Sequence, residues 1–119
     1  MSHTGWPVGV VIGDGTLQYS SQCLASAAQQ KLNVIDIVPC NGEYAVLKEF
    51  AVLENTPNVP GLDLPALDVV STAKRFGCAA VAANIQAAFS TGLSANGPTV
   101  IAISIKNQIR PLVSPVSNA

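Results

Sequence analysis

The chain has 119 residues, 49% of them hydrophobic, 11% charged and 5% aromatic, and seven acids against six lysines and arginines leave a net charge of −1. This is one domain's length of chain; its apolar content excludes a disordered tail, and its near-zero charge removes any electrostatic case for nucleic acid or an anionic membrane as partner. The apolar runs are short and punctuated by Gly, Pro, Asn or Asp, so none approaches the ~18–20 residues of a membrane-spanning helix.

Met1 to Pro7 has no basic stretch followed by an apolar one, so no secretory signal is expected and residues 1–7 read as a disordered or linker start. Val8-Gly9-Val10-Val11-Ile12 is continuous rather than alternating, the pattern of a strand buried on both faces of a parallel sheet. Gly13-Asp14-Gly15 follows as a loop. Ser21 to Lys31, rich in Ala, Gln and Leu, predicts a helix with Leu24, Ala27 and Ala28 on one face. Val34-Ile35-Asp36-Ile37-Val38 predicts a second strand, ended by Pro39 and an Asn41-Gly42 turn. In Tyr44 to Glu54, the residues Val46, Leu47, Phe50 and Leu53 recur at amphipathic helical spacing. Asn55 to Pro65, with three prolines and Gly61, is a loop. Asp68 caps a helix running to about Phe76 and stopped by Gly77, and Ala79 to Ala82 is a short strand. Asn84 caps a helix to about Ala95, and Asn96-Gly97-Pro98 turns into the strand Thr99 to Ile105. Residues 106–119 carry prolines and no period, a C-terminal tail of little order.

Strands alternating with helices predict an α/β domain, a parallel sheet with helices on both faces. A sheet begun so abruptly has an unpaired edge to cover, so the chain is expected to be part of a larger protein. Cys23, Cys40 and Cys78 are an odd, widely spaced set without a Cys-x-x-Cys, which argues against a disulfide framework or a zinc site and fits a reducing cytoplasm. Asp36, the lone acid of its strand, is expected at an exposed sheet end or paired to a segment outside the chain.

The chemistry gathers at two predicted strand ends. Neighbouring parallel strands present their C-terminal ends on one side of the sheet, where ligands bind, so Gly13-Asp14-Gly15 and Asn41-Gly42 can meet there although residues 16–40 separate them. An Asp carboxylate and an Asn amide oxygen are hard ligands suited to Mg²⁺ that also touches phosphate. Glycines beside Asp14 let the backbone approach a bulky anion, and the following helix offers its first amides to the same charge.

Gly13-Asp14-Gly15, an intervening helix and Cys40-Asn41-Gly42 resemble the diphosphate-binding motif of the thiamine diphosphate enzymes, which begins Gly-Asp-Gly and ends in Asn-Asn. The stretches Gly13 to Ser20, Asn41 to Tyr44 and Asn58 to Pro65 are similar in wording to the benzoylformate decarboxylases within that family, and the likeness runs from about Val8 to Ile105. It implies an incomplete thiamine diphosphate-binding fold, with 8–105 as the diphosphate and Mg²⁺ domain. By position it implies Asp14 and Asn41 as side-chain Mg²⁺ ligands and Glu43 as a backbone-carbonyl ligand. Gly13, Gly15, Thr16, Tyr19 and Tyr44 would complete the cofactor pocket. Val46, Leu47 and Phe50 fall where a substrate cavity would be lined, with plain core packing the alternative for all three.

The resemblance further implies a non-oxidative decarboxylase that converts a 2-oxo acid to an aldehyde and CO₂, with the cofactor as electron sink. The family's activating glutamate comes from the pyrimidine-binding domain of a partner subunit, so a homo-oligomer is implied, no catalytic residue is expected within these 119 residues, and the chain alone is expected to be inactive. Alternatives are the corresponding portion of an acetolactate synthase-like carboligase, or a non-catalytic α/β remnant or oligomerisation module. Cys40 stands where the motif has its first Asn; no base accompanies it, so it is not read as a nucleophile. The Glu43 carboxylate either assists the metal or, the preferred reading, faces solvent, and His3, the one histidine, is a bystander.

Overall fold

Each apolar run of the sequence forms a strand, and each amphipathic or Ala-rich stretch forms helix. The computed structural model describes residues 6–65, 67–82 and 84–112. In chain order the elements are β1 (Val8–Val11), α1 (Asp14–Gln18), α2 (Cys23–Gln29), β2 (Val34–Cys40), α3 (Ala45–Leu53), α4 (Val69–Arg75), β3 (Ala79–Ala82), α5 (Ile85–Ser94) and β4 (Thr99–Ser104). The four strands pair in parallel in the order β1-β2-β4-β3, which bears out the expected α/β class. His3 and the rest of residues 1–5, and residues 113–119 of the tail, lie outside the described residues.

Strand order decides where the helices go. The connections from β1 to β2 and from β2 to β3 step one way across the sheet, whereas that from β3 to β4 steps back. Right-handed crossovers therefore place α1, α2 and α4 on one face and α5 on the other. The core divides accordingly. Leu17 and Leu24 pack with Val69, Ala73, Val38 and Val100 on the first face, and Ala88 packs with Ile35 and Ile101 on the second. Alternate residues of β2 and β4 thus serve opposite layers, which is why both strands are mainly apolar on both faces, Asp36 of β2 being the one charged residue.

Three boundaries differ from expectation. Gly13-Asp14-Gly15 is not a free loop: Gly13 is the extended N-cap and Asp14 opens α1, whose Leu17 is anchored in the core. An acid in the first helical turn is favourably placed, which offsets the low helix propensity of the glycine. The helix expected from Ser21 to Lys31 is correspondingly shorter, from Cys23 to Gln29. Pro39 does not end β2, which runs on to Cys40. Ile37 accepts from Ile12 on the β1 side and Cys40 accepts from Ile105 on the β4 side, so Pro39 turns its missing N–H towards β1, which has already ended. Asp68 and Asn84 cap α4 and α5 as their types predict, accepting from Ser71 N–H and Gln86 N–H, each at 2.9 Å.

The exposed-end reading of Asp36 is also corrected. It lies in mid-strand between Val10 and Val100, not at an exposed sheet end, and is 9% exposed. Burial raises its pKa above the ordinary 3.8. Between the unfolded and folded pKa the unfolded chain binds fewer protons, so Asp36 makes stability fall as pH rises through that interval, and its full cost is present above the folded pKa. Asp36→Asn is expected to be more stable than the wild type at neutral pH and to converge with it below 3.8, as followed by denaturant melts across a pH series.

Candidate functional site

The ends of β1 and β2 bring the two sequence motifs together. Asp14, 4% exposed, points its carboxylate between them: Oδ1 accepts from Gly15 N–H and Oδ2 from Gly42 N–H, both at 2.9 Å. Gly42 has a φ of 69°, a left-handed conformation that favours glycine and that sets the backbone for this bond. Asn41 Oδ1 accepts from Glu43 N–H at 3.3 Å, closing a local turn. The Asp14 carboxylate, the Asn41 amide and the peptide of Glu43 therefore share one end of the sheet.

A second layer supports the Asn41 loop. Tyr44 N–H donates to Leu62 O at 2.9 Å and Leu64 N–H to Gly42 O at 2.7 Å, and Glu43 pairs with Asp63 in an isolated antiparallel bridge. Lys48 of α3 places its ammonium on both Glu43 and Asp63. Those carboxylates raise the Lys48 pKa, Asp63 foremost. The preferred reading of the Glu43 side chain is thereby corrected: it does not face solvent but is 5% exposed, held inward by Lys48. Charge pattern alone does not reveal this, because Glu43 precedes α3 and Asp63 lies in a proline-rich loop; the signal available is that Lys48 is the lone cation of an otherwise apolar helix face.

Between the two loops and α3 lies a cleft of about 260 Å³. Gly13, Asp14, Gly15 and Thr16 form one wall, Asn41, Glu43 and Tyr44 the other, with Val46 and Leu47 closing one side. Pro39, Ala45 and Ile105 also line it, none of them singled out from the sequence. The Tyr44 ring lies directly on Gly15: a Cβ there would fall 2.5 Å from Tyr44 Cε1. Tyr19 and Phe50 are not in the lining. Tyr19 is 78% exposed; its phenol neighbours that of Tyr44, whose pKa is raised by desolvation first and then by Tyr19 and Asp14. Core packing does not describe Val46, Leu47 and Phe50, which are all exposed while α3 buries Ala51.

The donor set has the chemistry of a hard cation site that is finished by its ligand. Among the described residues no group of three or more His, Cys, Asp or Glu side chains is disposed to hold a metal, so the protein builds no closed cage. Asp14 keeps lone pairs beyond its two backbone bonds, and Asn41 and the Glu43 peptide supply neutral oxygens. One carboxylate with carbonyl oxygens is what Mg²⁺ uses when phosphates provide the remainder. Gly13, where a Cβ would meet nothing nearer than Thr16 Oγ1 at 4.0 Å, leaves room for such an anion. Cys40 donates to Val38 O at 3.3 Å, and burial, then the Asp14 charge, push its thiol pKa up, opposite to what a nucleophile needs.

Comparison with known proteins identifies the family of the chain. Residues 2–103 match the family model described as thiamine pyrophosphate enzyme, C-terminal TPP binding domain. A benzoylformate decarboxylase from Pseudomonas aeruginosa is 35% identical over 97 residues, covering 78% of this chain and 18% of that protein. The crystal structure of benzoylformate decarboxylase from Polynucleobacter necessarius aligns with a TM-score of 0.84 at 44% identity, over 89% of this chain and 21% of that one. A thiamine diphosphate-dependent 4-hydroxybenzoylformate decarboxylase from Rhodococcus jostii aligns with a TM-score of 0.82 at 35% identity, over 87% and 20%. The chain spans about a fifth of the length of these relatives.

Proposed function

The chain belongs to the thiamine pyrophosphate enzymes, as their C-terminal TPP-binding domain, and from that premise we propose that it is the diphosphate- and Mg²⁺-binding portion of a benzoylformate decarboxylase-like enzyme, which converts a 2-oxo acid to an aldehyde and CO₂. The observation that carries this reading is the Asp14 carboxylate held between Gly15 N–H and Gly42 N–H at the mouth of the cleft. Asp14, Asn41 and the Glu43 carbonyl hold the metal. Gly13, Gly15 and Thr16 receive the diphosphate with their backbone, and the Tyr19 and Tyr44 hydroxyls stand at its margin. Bound thiamine diphosphate supplies the electron sink for loss of CO₂. The residues of this chain contribute position: they fix the anionic end and, through Val46 and Leu47, present apolar surface to the rest of the site. The decarboxylase relatives favour this over an acetolactate synthase-like carboligase or a non-catalytic module.

Titration of the protein with thiamine diphosphate tests the assignment. Binding is expected with Mg²⁺ and not with a chelator, and weakly, because the diphosphate end alone is held and the remainder of the cofactor is unanchored. No binding in either condition overturns the reading. Benzoylformate turnover by the 119-residue chain is expected to equal that of its Asp14→Ala variant, since groups for cofactor activation belong to a partner subunit's pyrimidine-binding domain in this reading; turnover above that control refutes the dependence on a partner.

Association with further copies in the cytoplasm belongs to the same proposal. The three thiols are free, and Val11, Val46, Leu47 and Phe50 are exposed. Among the described residues, β1 is an edge strand. Such surface favours a specific interface, which requires upwards of ~1,000 Å². Sedimentation should show a dimer or larger at micromolar concentration; a clean monomer that binds no hydrophobic dye contradicts it. Among the described residues no helix is long and apolar enough to cross a membrane.

A further inference from the structure

The ion pairs beside the cleft are not explained by diphosphate or metal binding. Lys48 lies outside the cleft lining, yet its ammonium joins Glu43 to Asp63. Glu43 is the costly member of the trio. Its side chain is 5% exposed, Oε2 has Lys48, and Oε1 is buried without a hydrogen-bond partner. Asp63 is 72% exposed, so its own pairing with Lys48 is largely screened by water.

We propose, resting on the function assigned above, that Lys48 is a positioning residue for the metal end of the site: by neutralising the buried Glu43 carboxylate it keeps residues 41–44 stapled to residues 62–64 and so holds Asn41 and Gly42 in register with Asp14. Removal of Lys48 leaves an uncompensated buried charge, and breaking one partner of such a pair costs far more than replacing both by neutral groups. The relief open to Glu43 is to swing into water. Glu43 lies at the bridge with Asp63, flanked by the bonds from Tyr44 N–H to Leu62 O and from Leu64 N–H to Gly42 O, so its exit pulls directly on that ladder. The same segment carries the Gly42 N–H that holds Asp14 Oδ2. Lys48 thus acts on the site through Glu43, without touching cofactor or metal.

Amide hydrogen exchange and ligand titration together test this. In Lys48→Met, without any ligand, exchange at Gly42, Tyr44 and Leu64 is expected to accelerate by about tenfold or more while Val100 and Ile101 in the sheet centre stay protected. Mg²⁺-dependent affinity for thiamine diphosphate should fall by about 10–100-fold, the usual cost of losing an outer-shell support. Lys48→Arg should restore both, and the doubly neutral Glu43→Gln/Lys48→Met should bring amide exchange back to within about threefold of wild type, as expected when no buried charge is left unpaired. Asp63→Asn should likewise remain within about threefold, because its pairing is exposed. Asp68→Ala, which removes the cap of α4 on another part of the fold, controls for lost stability and should leave affinity unchanged. Unaltered exchange in Lys48→Met overturns the proposal. Fast exchange that the double variant fails to slow also overturns it, since the unpaired Glu43 charge would then not be what loosens the ladder. If the wild type binds no thiamine diphosphate, the functional reading fails and the exchange measurements still decide the role of Lys48.

Discussion

Alanine in place of Asp14 is expected to abolish Mg²⁺-dependent binding of thiamine diphosphate, with affinity reduced by at least about 100-fold, more than outer-shell losses produce. Two effects coincide at this position. The site loses the one anionic oxygen ligand the protein supplies, and Mg²⁺ gives up its water reluctantly for the neutral carbonyls that remain. In addition, Gly15 N–H and Gly42 N–H lose the acceptor they share. Each orphaned donor costs about 1–3 kcal/mol, so the variant should also be less stable by about 2–6 kcal/mol in urea melts. Asp14→Asn separates the two effects. Its amide oxygen can still accept one of the N–H groups while its NH₂ faces the other, so stability should fall by about half as much, whereas metal-dependent binding should be lost as completely. Retention of Mg²⁺-dependent binding by Asp14→Ala would remove Asp14 from the site.

The convergence of Asp14 with the Asn41 loop was legible because it depends on topology more than on packing. A continuous apolar run at Val8–Ile12 and one broken only by Asp36 at Val34–Val38 point to strands of a parallel sheet, and parallel neighbours must end on the same side. The caps at Asp68 and Asn84 were legible for a local reason, since a side-chain acceptor and a following helix suffice. What escaped depends on partners distant in sequence. Pro39 reads as a strand terminator until the earlier end of β1 is known, and the helical state of Asp14 to Gln18 rests on Leu17 reaching the core across two glycines. Glu43 reads as solvated because acids generally are, and only the fold brings Lys48 and Asp63 to it. Phe50 shares the helical spacing of Val46 and Leu47, but spacing does not distinguish the part of a stripe that meets a cleft from the part that extends beyond it.

Gly15 carries the other large effect, and it separates the shape of the cleft from its charge. A Cβ at position 15 would lie 2.5 Å from Tyr44 Cε1 and 3.0 Å from Cδ1, with Leu64 Cδ1 at 3.2 Å. The Leu64 methyl can yield by a rotamer change, but an aromatic ring moves as a unit about bonds rooted at the start of α3. In Gly15→Ala the Tyr44 ring must therefore leave its place, giving up its contact with Gln18 and carrying its bulk towards the cleft or out to solvent. The gain in helix propensity on replacing glycine, about 1 kcal/mol, opposes an overpacking cost of about 1–3 kcal/mol, so the net loss of stability should be small. The loss of function should not be. With Asp14, Asn41 and every charge retained, thiamine diphosphate affinity is expected to drop by about tenfold or more, which corresponds to the few contacts a displaced wall removes. Tyr44→Ala in the Gly15→Ala background removes the clash and should recover a substantial part of that affinity, whereas Tyr44→Ala alone should weaken binding only modestly. If Gly15→Ala binds as the wild type does, close approach at Gly15 is not what shapes the site, and the diphosphate lies away from α1.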